Sequence, residues 1–299
     1  MAIHTEHTVI SLFSGIGGLD LAFKSVFPNS RTVCYVERQL TAVGILAGQM
    51  AKPSGLDEAP VYSDVTTFPP PGFLAEGVSI DFLLGGFPCQ SHSQNGRKLH
   101  GDDPRELSGE VIRLADRLGL PTLFLENVPG ILRFYWDNIR PKLREMGYEV
   151  EEGLFAASEV GASHRRERLF ILADANGGRG WENLQPPKLW AARTEQSPSD
   201  CGGTESGEDA QVPTGNTGDI NKSQLPEFPP GPGDPAWEWI VQHHPELAPA
   251  TCDETECSVR DLADHGYKSN RLDGLMALGN SVVPAQGSYA LRHLVERFK

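Results

Sequence analysis

Short runs that are apolar on both faces, returning at intervals along the first 173 residues, constrain this chain more than any other feature. Val9-Ile10-Ser11-Leu12-Phe13, Thr32-Val33-Cys34-Tyr35-Val36, Ile80-Asp81-Phe82-Leu83-Leu84, Thr122-Leu123-Phe124-Leu125 and Arg168 to Ala173 are such runs, and Val61-Tyr62 is a shorter one. Runs of this kind are strands covered by helices on each side. Leu107, Val111, Leu114, Ala115 and Leu118 lie on one helical face, and Gly119 follows as a stop. Asp137 to Met146, ended by Gly147, is a second helix candidate. This alternation predicts an α/β fold with a doubly wound, mostly parallel sheet.

The character changes at Asp174. Between Asp174 and Asp264 there are 17 acidic and 5 basic residues, with 11 of the 23 prolines. Of the net charge of −14, −12 therefore belongs to this segment, and the rest of the chain, with 21 basic and 23 acidic side chains, carries only −2. Net acidity would otherwise argue against a nucleic-acid partner. Residues 176–234 show almost no periodicity and read as irregular and partly disordered. The expected organisation is a catalytic domain over 1–173, a small irregular region over 174–270, and a segment over 271–299 that returns to the first domain. Arg271 to Leu278 and Ser288 to Phe298 read as helices flanking a turn at Gly279-Asn280. No run of 18 apolar residues occurs, the start of the chain is unlike a secretory signal, and five scattered cysteines make no disulfide framework. A cytoplasmic protein is expected. Cys252 and Cys257 form half a zinc motif with no second pair, so no metal is expected.

In a doubly wound sheet, ligands sit outside the carboxyl ends of the strands. The first strand ends in Phe13-Ser14-Gly15-Ile16-Gly17-Gly18-Leu19-Asp20. Glycines there permit close backbone approach to a ligand, and the helix that follows offers free N–H groups. Glu37, just past the second strand, is placed to accept two ribose hydroxyls, and Asp64 follows the third. The fourth strand runs into Gly86-Phe87-Pro88-Cys89-Gln90. Cys34 suits the usual role of cysteine as a small buried hydrophobe, whereas Cys89 sits where a nucleophile would be useful. Glu126 ends the fifth strand and points into the same crevice; near a thiolate its carboxyl should be held protonated. On an extended segment Arg166 and Arg168 would share a face, and two guanidiniums suit a phosphate or a base carbonyl.

In this order, these strings resemble the cytosine-5 DNA methyltransferase family of phage and bacterial type. Phe13 to Gly18, Gly86 to Gln90, Glu126-Asn127-Val128, Arg165-Arg166-Glu167-Arg168 and Gly279-Asn280-Ser281-Val282 carry the resemblance. It implies a Rossmann-like methyltransferase that moves a methyl group from S-adenosylmethionine to carbon 5 of cytosine in double-stranded DNA, leaving S-adenosylhomocysteine. By resemblance the catalytic residues are Cys89, which adds to C6 of a flipped-out base, Glu126, Arg166 and Arg168. The cofactor residues would be Phe13, Ser14, Gly15, Gly17, Gly18, Leu19, Glu37, Arg38, Asp64, Val65, Pro88, Leu107, Asn280 and Ser281. Gln90, Ser93, Arg97, Lys98, Arg260 and Arg271 would contact DNA, a local basic patch on an acidic chain. His92 and His164 depart from the family's usual residues. A monomer, with a cognate restriction endonuclease as a partner of the wider system, is the expectation.

Three other readings compete. A tRNA cytosine methyltransferase would keep the chemistry and change the substrate. A non-catalytic DNA-binding module would tolerate loss of Cys89, Glu126 or Arg168, and all three are present. An NAD-dependent oxidoreductase is disfavoured by Asp20, which stands where the dinucleotide fingerprint wants its third small residue.

Overall fold

The structure is a computed structural model that describes residues 7–51, 55–73, 79–88, 107–177, 239, 242–243 and 279–298. Its sheet has seven strands: β1 (His7–Leu12), β2 (Ser30–Val36), β3 (Val61–Tyr62), β4 (Phe82–Gly85), β5 (Thr122–Asn127), β6 (Glu149–Ala156) and β7 (Glu167–Asp174). Their order is β3-β2-β1-β4-β5-β7-β6. Every neighbouring pair from β3 to β5 is parallel, and β7 runs antiparallel to both β5 and β6. The doubly wound, mostly parallel sheet expected from the sequence is present, with one reversed strand near its edge.

Alternation along the strands divides the core into two layers. Ile10, Leu12, Leu83, Leu123, Leu125, Leu169 and Ile171 face one layer. Helix α3 (Ser108–Leu118) covers it with Val111, Leu114 and Ala115, and Gly119 ends that helix at φ 58. Val9, Phe82, Leu84, Phe124, Phe170 and Leu172 face the other layer. There α1 (Gly18–Val26) contributes Leu19, Phe23 and Val26, while the last helix contributes Ala290, Leu291, Leu294 and Val295. A third small cluster joins Tyr35 to Leu46 of α2 (Leu40–Met50) and to Leu56.

The helix expected from Asp137 begins earlier. A 3₁₀ turn at Pro129–Ile131 leads into α4 (Leu132–Phe134), a π turn over Tyr135–Ile139 and α5 (Arg140–Glu145). Pro129 stands in the first turn, where its missing N–H costs nothing. Tyr135 Oη donates to Glu152 at 2.6 Å, and Arg140 Nε donates to the same carboxylate at 3.1 Å. The last helix, α6, spans Pro284–Arg297, four residues more at its start than the periodicity suggested. The helix expected over Arg271 to Leu278, and the irregular stretch 176–234, lie outside the described residues. β6 escaped the sequence reading because three of its eight residues are glutamates, the charge that protects an edge strand.

The chain divides into two units. The first comprises Met1–Ala156, Glu167–Gln185 and Ser269–Lys299, and the second comprises Ala157–Arg166 and Pro186–Lys268. Among the described residues, no helix is long and apolar enough to cross a membrane.

Candidate active site

The sheet order turns back on itself between β1 and β4, which is where a doubly wound fold opens a crevice. A cleft of about 810 Å³ lies there in the first unit. Of the residues proposed from sequence to hold the cofactor, Phe13, Gly15, Glu37, Arg38, Asp64, Val65, Pro88, Leu107 and Asn280 line it, and so do Glu126 and Arg168. Ser14, Gly17, Gly18, Leu19 and Ser281 are not among its lining residues.

Those residues shape the cleft from behind. Ser14 Oγ donates to the Ser11 carbonyl at 2.9 Å and its amide donates to Val36 O at 3.2 Å, so the loop is tied to β1 and β2. Gly15 and Gly17 have φ of 56° and 85°, a region that side chains rarely tolerate. Gly18 opens α1, and a Cβ placed on it would lie 2.4 Å from the Val282 carbonyl oxygen. The segment carrying Asn280 therefore docks against a bare backbone. Asp20 is buried beneath the loop, where Ser11 Oγ donates to it at 2.9 Å. Burial pushes its carboxyl up to about 7.

At one end of the cleft two carboxylates stand ready. Glu37 Oε2 accepts the Gly15 amide at 2.8 Å and Oε1 accepts the Gln39 amide at 2.7 Å. A carboxylate held by two amides keeps lone pairs for further donors. Asp64 Oδ1 accepts the Thr66 amide at 2.9 Å and hydroxyl at 2.8 Å, and those bonds lower its carboxyl below the usual range.

The opposite end holds an ion pair. Glu126 sits at the carboxyl end of β5, is 7 % exposed, and its Oε1 lies 3.0 Å from Arg168 Nε on the adjacent β7. Gly86 lies alongside, and a Cβ there would come 3.1 Å from Glu126 Oε2. Asn127, which sequence reasoning quoted without a role, donates from Nδ2 to Phe87 O at 3.0 Å. It ties β5 to the segment that leads through Pro88 toward Cys89. Buried asparagine at a strand end was the available signal. Cys34 is a buried free thiol pushed up to about 11 by its surroundings, in keeping with a packing role.

Cys89, Gln90, Ser93, Arg97, Lys98, Arg260 and Arg271 lie outside the described residues. One expectation changes. Arg166 and Arg168 were expected to share a face of one extended run, but β7 starts at Glu167 and Arg166 has φ 39. Extended alternation therefore does not reach Arg166.

The sequence profile of the C-5 cytosine-specific DNA methylase family matches residues 7–200. The chain belongs to this family. Among C-5 cytosine-specific DNA methylases and their relatives, the type II methyltransferase M.MspI of Moraxella sp. is 29 % identical over 200 residues, which cover 63 % of this chain and 43 % of that protein. The type II methyltransferase M1.ScrFI of Lactococcus lactis subsp. cremoris is 30 % identical over 194 residues, covering 61 % of this chain and 45 % of that protein. The chain spans less than half the length of both. The solved S. pombe Dnmt2 methyltransferase shares 21 % identity with a TM-score of 0.46, over 57 % of this chain and 51 % of its own.

Proposed function

We propose that this chain transfers a methyl group from S-adenosylmethionine to carbon 5 of cytosine in DNA, using Cys89 as a covalent nucleophile on a base flipped out of the duplex. The observation that carries the reading is the buried Glu126–Arg168 pair opening into the same cleft as the amide-anchored Glu37. Membership of the family supports the same chemistry.

The residues fit the cofactor. A Cβ on Gly15 would meet nothing closer than 4.0 Å, so the loop leaves room for a ligand against its backbone. Glu37 would accept the ribose hydroxyls, Asp64 the adenine amine, and Phe13 would lie against the purine, while Asn280 closes the pocket. When bound, S-adenosylmethionine supplies a methyl group activated by a sulfonium.

Cytosine C5 is a weak nucleophile while its ring is aromatic. A thiolate from Cys89 adding to C6 ends that aromaticity and leaves an enamine that is nucleophilic at C5. Glu126, having taken up a proton from solvent as the base enters, donates that proton toward N3 from one oxygen and accepts from the exocyclic amine with the other, which draws electron density from C6 and selects cytosine. Arg168, already oriented by Glu126, donates to the carbonyl at position 2. After methylation, loss of the C5 proton to water expels the Cys89 thiolate. The base reaches this cleft only outside the helix, which is why flipping is part of the proposal. Phosphate contacts are assigned to Arg97 and Lys98 by the family resemblance.

The test is incubation with methyl-labelled S-adenosylmethionine and either mixed-sequence duplex DNA or tRNA, followed by nucleoside analysis. Labelled 5-methyldeoxycytidine is expected. Label in tRNA alone would overturn the DNA assignment, and label in neither would overturn the reaction. The Cys89→Ser variant should lose turnover while keeping cofactor affinity.

A further inference from the structure

Besides the two Thr66 bonds to its carboxylate, the Asp64 turn is tied by Thr67 Oγ1, which donates to Asp64 O at 3.2 Å and lies 3.1 Å from Tyr62 Oη. The turn follows β3, which is two residues long. Internal bonds close it: the Thr67 amide donates to Asp64 O at 3.2 Å and the Phe68 amide to Val65 O at 3.3 Å. Beneath it the Phe68 ring is fully buried, with the Tyr62 and Phe73 rings 5.4 and 4.8 Å away.

Its carbonyls are held by a side chain from elsewhere. Arg113, midway along α3, donates from Nη2 to Val65 O at 2.9 Å and to Phe68 O at 2.8 Å. Its Nε donates to Glu110 Oε2 at 2.7 Å, one turn earlier on the same helix. The guanidinium is a planar fork, so fixing Nε on Glu110 fixes the direction of Nη2. A lysine has a single nitrogen and cannot occupy both positions.

We propose that Arg113 is a positioning residue for cofactor selection: braced by Glu110, it clamps the turn that presents Asp64 to the adenine amine. The inference rests on the reading of Asp64 given above. Arg113 itself is not among the residues lining the cleft, so its influence runs through the turn. Leu107, which caps α3, does line it, so one helix contributes a wall and a clamp to the same site.

The experiment measures equilibrium binding of S-adenosylhomocysteine and of S-inosylhomocysteine, which lacks the exocyclic amine. Wild-type protein should prefer the adenosyl ligand by about tenfold, the worth of one hydrogen bond to a charged group. Asp64→Ala should abolish the preference. Arg113→Lys should weaken adenosyl binding by about 5–10-fold and leave inosyl binding within about twofold, so that the ratio collapses. Glu110→Gln, which keeps Arg113 and loosens its brace, should reduce the ratio in the same direction. Equal weakening of both ligands by Arg113→Lys, or an unchanged ratio in both variants, would overturn the inference. If Asp64→Ala abolishes the preference and Arg113→Lys preserves it, the clamp alone fails. A wild-type protein with no preference overturns the Asp64 reading and the clamp together.

Discussion

Gly18→Ala tests how the far end of the chain completes the cleft. The new methyl group would lie 2.4 Å from the Val282 carbonyl oxygen and 3.3 Å from two further Val282 backbone atoms. Those are backbone atoms, so no rotamer change relieves the overlap, and the segment must move by roughly 1 Å to restore ordinary contact. Overpacking of this kind costs about 1–3 kcal/mol. Alanine returns about 0.5–1 kcal/mol through helix propensity. The net expectation is a loss of about 1–2 kcal/mol in denaturant unfolding. Because Asn280 stands two residues before Val282, S-adenosylmethionine affinity by calorimetry should fall by about tenfold, the scale of one lost polar contact. Gly109→Ala is the control, since a Cβ there meets nothing within 4 Å. It should stabilise slightly and leave binding unchanged. A Gly18→Ala protein with wild-type stability and affinity would refute this account of the docking.

Asp20 supplies a pH-dependent prediction. Its carboxyl is raised from 3.8 to about 7 by burial, so the folded state binds the proton more tightly than the unfolded one. Stability from this group is then fullest below about pH 4 and declines as pH rises toward 7. Asp20→Asn should raise unfolding stability at pH 8 by about 2–4 kcal/mol, with the gain vanishing near pH 4, and a variant destabilised equally at both pH values would contradict it. Glu126→Gln leaves the Arg168 guanidinium beside a neutral amide and removes the acid that would serve N3. Turnover should fall by about 10²–10³ with the KM for S-adenosylmethionine little changed, and a loss under tenfold would refute the role.

Much of this architecture was legible in the residue order. Runs such as Leu123-Phe124-Leu125 are apolar at every position because the strand is covered on both sides, and this periodicity survives in the sequence. The cleft residues at strand ends were legible for a related reason: polar groups such as Glu37, Asp64 and Glu126 interrupt apolar runs where the sheet stops. Glu149–Ala156 was not legible, because an edge strand dressed with charge loses the pattern that marks a buried one. Arg113 was hidden as well. It sits on the polar side of an amphipathic helix, and its two acceptors are backbone carbonyls more than 40 residues away, which leave no trace in side-chain identity. Arg166 failed the alternation argument because a single residue at φ 39 interrupts an extended run.

The central claim is a sulfur nucleophile and a carboxyl meeting on one pyrimidine ring. Duplex DNA carrying 5-fluorocytosine tests it most directly, because a fluorine at C5 cannot leave as a proton does and the adduct persists. With S-adenosylmethionine present, the account predicts a stable protein–DNA conjugate whose digested peptide bears the modified base on Cys89, absent from Cys89→Ser. A conjugate mapped to Cys34, or methylated DNA formed with no conjugate, would contradict it.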